Sequence, residues 1–110
     1  MRNISRNDIL KLQHELNEFE FFVVERNPDK VPYFVRYIDR MRCNIQTYVT
    51  LGCLEVENIC KTLQRDWREA KEVFFETPEF TFDALNEEEE KENIFKFFEY
   101  VRKIDSYIKN

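Results

Sequence analysis

The chain has 110 residues, enough for one hydrophobic core and not two. Apolar residues make up 43% and charged residues 35%, which excludes a disordered chain, and a single glycine with three prolines excludes an all-β fold rich in tight turns. The net charge of −5 and a pI near 5.0 lack the basic footprint of a nucleic-acid-binding domain.

The charge is uneven. Residues 77–110 carry nine acidic against five basic side chains, a balance of −4, whereas residues 29–76 balance to zero. Arg36 with Arg40, and Lys61 with Arg65 and Arg68, line up at helical spacing. Acids alternate with them (Glu57/Lys61, Arg65/Glu69, Arg68/Glu72), which reads as a solvated, salt-bridged face.

In chain order, Ser5 followed by Asp8 predicts a capped helix over about 5–26. Its stripe is Ile9, Leu12, Leu16, Phe19 and Val23, and Asn27-Pro28 closes it. Asp29 is the expected cap of a second run, with Pro32 in its first turn. One stripe then continues in phase: Phe34, Ile38, Met41, Ile45, Tyr48, Gly52, Val56, Ile59, Leu63, Trp67, Ala70 and Phe74. Its mean step of about 3.6 is that of a straight α-helix. Thr77-Pro78 ends it. A last helix over 87–109 follows Asn86 as N-cap, with Glu87 to Glu90 at the positive helix end and a stripe of Ile94, Phe97, Val101, Ile104 and Ile108.

The fold class is therefore all-α, a single domain over 1–110. It is either an elongated three-helix arrangement or a compact four-helix antiparallel bundle. The choice turns on whether 30–76 breaks near 50–53. The unbroken phase and the lack of Asn, Asp, Pro or Ser in YVTLGCLEVE favour one long helix, with Gly52 on the stripe admitting a close neighbour. Such a spine leaves part of its stripe uncovered, and so expects a protein partner or a homodimer.

Catalytic chemistry is sparse. His14 is the single histidine, preceded three residues earlier by Lys11, so no Glu-x-x-His pair exists, and it reads as an exposed helix residue. Cys43, Cys53 and Cys60 form no C-x-x-C and lie in an apolar helical stretch, so packing is expected of them; a Cys–His14 pair is the one enzymatic alternative. One glycine rules out phosphate-cradling loops and nucleophile elbows. No catalytic residue, metal or cofactor is expected, and Trp67 reads as core. With no apolar h-region at MRNISRND and no membrane-length apolar run, a reducing, cytoplasmic home and no membrane or nucleic-acid partner are expected.

The order of apolar landmarks resembles the C-terminal part of the formin homology-2 domain, the actin-assembly module of formins. Leu12 and Leu16 look like its L-x-x-x-L helix, and Asn27 to Lys30 like its charged linker. Phe34, Ile38 and Met41 resemble the opening of its long helix, Phe74-Phe75 the close, and Phe97-Phe98 with Val101 the final helix. The family's Phe-Gly pair is Phe-Phe here, and its Gly-Asn-aromatic-Met-Asn motif is absent, so no actin-contacting residue transfers. The resemblance implies a role in actin organisation, with the chain as the tail of a larger domain. The other reading is a self-contained acidic binder, of inhibitor or immunity type, facing a basic partner. Candidate docking residues are Phe75, Phe80, Phe82 and Glu87, Glu88, Glu89 and Glu90. Phe80 and Phe82 are expected to fold back near Phe97.

Overall fold

The computed structural model describes residues 6–52, 56–76 and 86–108, with the side chains of 56–58 and 76 outside the description. It contains four helices: α1 (Arg6–Glu25), α2 (Val35–Thr50), α3 (Val56–Glu76) and α4 (Glu87–Ile108). Close backbone approaches join α1 to α2, α2 to α3, α3 to α4 and α4 to α1, and none crosses a diagonal. Pairs such as Gln13–Gln46, Arg40–Asp66, Trp67–Asp105 and Arg26–Asn93 set each adjacent pair antiparallel. The result is an up-down-up-down four-helix bundle. Its extents are 46 × 24 × 21 Å and its radius of gyration is 14.5 Å, close to the ~13 Å of a compact domain of this length.

The single long helix is not formed. Helix α2 ends at Thr50, and Gly52 adopts φ +80°. Its N–H donates to the Val49 carbonyl at 3.1 Å, and Leu51 N–H donates to Thr47 at 2.9 Å, so the last carbonyls are satisfied by a glycine-ended cap. Gly52 is exposed, and a Cβ built there meets nothing within 4 Å. It supplies a left-handed backbone and not a close helix contact. Once the run folds back on itself the spine no longer presents an uncovered stripe. Phe34, Ile38, Met41, Ile45, Tyr48, Ile59, Leu63, Trp67, Ala70 and Phe74 are all buried. That removes the exposed stripe as a reason for a partner.

Helix α2 starts at Val35, five residues later than expected, with Phe34 at its N-cap position. Pro32 disfavours helical geometry at Val31, so Asp29 is not the cap. Pro32 and Tyr33 carbonyls instead accept from Val35 and Arg36, both at 3.1 Å. Asn27 closes α1 as expected: it is buried, and its Nδ2 donates to the Val23 carbonyl at 2.8 Å. The expected Ser5 cap lies outside the described residues.

Helix α4 opens as read. Asn86 Oδ1 accepts from Glu89 N–H at 2.8 Å, and the four glutamates occupy the first turn. Its inward stripe differs by one position: Asn93 is buried while Ile94 is exposed. Arg26 at the end of α1 explains the change. Its guanidinium lies 4.0 Å over the Phe22 ring and donates to Asn93 Oδ1 at 3.0 Å, giving a core amide a charged partner.

The core is aromatic. Phe19 contacts Phe34, Trp67, Phe97 and Tyr100 at ring separations of 5.3 to 6.3 Å, so residues of all four helices meet around one ring. Removing one such ring to alanine costs about 3–5 kcal/mol.

Candidate protein-docking surface

The aromatic core reaches the surface between α3 and α4. Phe74 and Phe97 are buried and meet edge-to-face at 5.3 Å. Their chain neighbours Phe75 and Phe98 point outward and stack on each other at 6.1 Å, within 14° of parallel. Phe75 is 55% exposed and Phe98 42%. Each outer ring touches the inner ring beside it, Phe74–Phe75 at 4.6 Å and Phe97–Phe98 at 5.3 Å. The four rings form a block, half core and half surface, anchored by its inner pair.

Consecutive residues on a helix differ by about 100° in direction, and in both the Phe74-Phe75 and Phe97-Phe98 pairs the member on the inward stripe is buried while its neighbour is exposed. Two FF pairs on antiparallel helices, with their inner members in contact, place their outer members side by side. Phe95 and Ile94 extend the apolar surface along α4, at 60% and 39% exposure. Phe95 lines a shallow open depression of about 380 Å³ with Glu88, Lys91, Glu92, Lys96 and Glu99. Phe95 therefore sits beside Glu88 and Glu92, in the most acidic stretch of the chain. Glu87, Glu88 and Glu90 are exposed and Glu89 half-buried, on a helix start held by Asn86.

Of the docking residues expected from sequence, Phe75 is exposed in the last turn of α3, Glu87 to Glu90 form the first turn of α4, and Glu88 shares the depression with Phe95. Phe80 and Phe82 lie outside the described residues. Sequence reasoning missed Phe98, Phe95 and Ile94. The signal for Phe98 was available in the Phe97-Phe98 pair, where Phe97 on the stripe leaves its neighbour to turn outward.

Other candidate chemistry is dispersed. His14 is exposed as expected, 4.0 Å from Glu18. It lines an open groove of about 590 Å³ with Asn7, Leu10, Lys11, Glu15 and Tyr107, to which neither described cysteine, Cys43 or Cys60, contributes. Cys60 is buried, and burial raises its thiol pKa. Cys43 is exposed, contrary to a packing role: it falls two residues before Ile45, on the outward side of α2. Cys53 lies outside the described residues. Among the described residues no group of three or more His, Cys, Asp or Glu could hold a metal ion, and no helix is long and apolar enough to cross a membrane.

The basic residues of α2 and α3 do more than face solvent. Arg40 and Arg65 lie 3.4 and 3.5 Å from the carboxylate of Asp66, whose side chain is fully buried, and Asn44 Nδ2 donates to its second oxygen at 3.5 Å. Arg40 also lies over Tyr37, and Arg36 over Tyr33. These guanidiniums are committed to structure. Comparison with protein-family models, curated proteins and solved structures gives no match.

Proposed function

We propose that this chain is a non-enzymatic helical binding module that docks a basic protein partner on the α3–α4 aromatic face. The observation that carries this reading is the outward stack of Phe75 and Phe98. Large apolar side chains on a compact bundle normally go to the core, and paired rings held half in solvent by buried neighbours are the form of an interface anchor. The glutamates of α4 beside the rings attract a basic surface and speed its approach. The closed bundle favours a self-contained binder, of the inhibitor or immunity kind, over a fragment that needs a second half to cover its stripe.

The test compares affinity capture from the native host by the parent chain, by Phe75→Ser/Phe98→Ser, and by a Leu10→Ser control in the α1–α4 groove beside His14. The reading expects a basic protein retained by parent and control, lost with the double substitution, and weakened by salt. Equal capture by all three chains removes the aromatic face as the docking site. The formin resemblance supplies the alternative: the chain acts as the tail portion of an actin-assembly domain. Co-sedimentation of the chain with filamentous actin, lost in the same double variant, would favour that role.

A further inference from the structure

The α1–α2 seam holds a charge cluster that the docking face does not use. Glu20 of α1 is 16% exposed at its side chain, and its Oε1 is fully buried with no hydrogen-bond partner. Arg42 of α2 donates from one terminal nitrogen to Glu20 Oε2 and to Asp39 Oδ1, the latter at 3.3 Å. Its Nε donates to Asn17 Oδ1 at 2.5 Å. Asp39 also stands within hydrogen-bonding reach of Glu20. One guanidinium thus serves two carboxylates, and one carboxylate oxygen is left bare in a place water does not reach. A bare buried acceptor beside a second carboxylate is unfavourable, but a proton on it creates the missing donor.

We propose that Glu20 and Asp39 form a shared proton site that ties α1 to α2, tightening the bundle when occupied and loosening it when the proton leaves. With Glu20 protonated, its hydroxyl donates to Asp39 and the cluster with Arg42 is neutral. When the proton passes to solvent the cluster carries one net negative charge. Burial, then the Asp39 carboxylate, pushes the Glu20 carboxyl up from 4.5 to about 7, and Arg42 opposes the rise.

The charges that α2 brings against Glu20 are Asp39 and Arg42. On the other flank of α1, Tyr100 of α4 faces Glu15, Glu18 and Arg26, with Glu99 beside Tyr100 on α4. Helix α3 reaches this part of α1 through the rings of Trp67 and Phe19.

A carboxyl raised in the folded state binds its proton more tightly there than in the unfolded chain. Stability from this site is therefore full below the unfolded value and is lost as pH rises through the folded one. The folded-to-unfolded ratio changes on the order of 100-fold across that window, after allowance for partial exposure.

Two measurements on the full chain test the proposal. Carbon-13 NMR of side-chain carboxyls should give Glu20 a midpoint near 7, falling by roughly one unit or more in Asp39→Asn. Thermal unfolding of the parent should weaken between about pH 5 and 8, and Glu20→Gln, which fixes a neutral side chain there, should flatten that slope. A Glu20 midpoint below about 5, or one that Asp39→Asn leaves unmoved, overturns the proposal. So does a pH slope that persists unchanged in a folded Glu20→Gln protein. If Glu20→Gln does not fold, the Asp39→Asn titration alone decides.

Discussion

Asp105 of α4 closes the lower half of the α3–α4 seam, and Asp105→Ala measures what that closure contributes. Its Oδ1 accepts from Trp67 Nε1 at 2.6 Å and from Lys71 Nζ at 2.9 Å. Trp67 is 2% exposed, so alanine leaves an indole N–H buried without its charged acceptor, at about 1.5–3 kcal/mol. The Lys71 pair is one-third exposed on both sides, and solvent screening holds it to ~0.2–1 kcal/mol. The sum is ~2–4 kcal/mol, a large share of the ~5–15 kcal/mol that stabilises a domain. At roughly 4 °C per kcal/mol for a chain this long, the melting temperature should fall by about 8–16 °C. Trp67 is the sole tryptophan, so its fluorescence reports both unfolding and the state of the bond itself. Asp105→Asn keeps an acceptor at Oδ1 and should lose less than half as much. A double-mutant cycle with Lys71→Met then separates the ion pair from the indole bond. An Asp105→Ala protein melting within about 2 °C of the parent would refute the reasoning, as would equal losses in the alanine and asparagine variants.

Three further outcomes test the local readings. Gly52→Ala should destabilise by about 1–2 kcal/mol in urea unfolding through backbone conformation alone, because the added methyl touches nothing. Asn86→Ala should cost about 1 kcal/mol and fray the first turn of α4 in hydrogen exchange, since Glu89 N–H loses its acceptor. In the folded protein a thiol reagent followed by mass spectrometry should modify Cys43 well before Cys60, which is buried and has a raised thiol pKa.

Much of the bundle is written in spacing. The cap at Asn86, the end at Asn27 and the buried stripe from Phe34 to Phe74 follow from side-chain period and terminal chemistry, both local. The reversal at Leu51–Gly52 does not, because an apolar stripe that keeps its phase looks the same in a rod as in a hairpin. The deciding information is one φ angle at the chain's single glycine. Burial of Asn93 in place of Ile94 depends on Arg26, a partner 67 residues away, which no periodicity encodes. The Glu20 cluster is equally silent: its orphan oxygen arises only where α1 meets Asp39 and Arg42 across the turn. Half of the docking surface was legible, because Phe74 and Phe97 lie on the inward stripes and their neighbours Phe75 and Phe98 fall about 100° away. The rest required knowing that the two pairs meet.

Helices α2 and α3 approach most closely along their backbones, whereas α3 and α4 share the fewest such approaches. That seam is spanned instead by long side chains: the Phe74–Phe97 and Phe75–Phe98 ring pairs above, and the Trp67–Asp105–Lys71 bonds below. A seam held chiefly by side-chain bridges opens before one with dense backbone approaches, so the α3–α4 seam is the one set to open first, with α4 still on α1 and the α2–α3 hairpin closed. Amide exchange should accordingly advance first along the α3–α4 seam, and a molecule seated on the Phe75–Phe98 stack would act as a clasp that slows it.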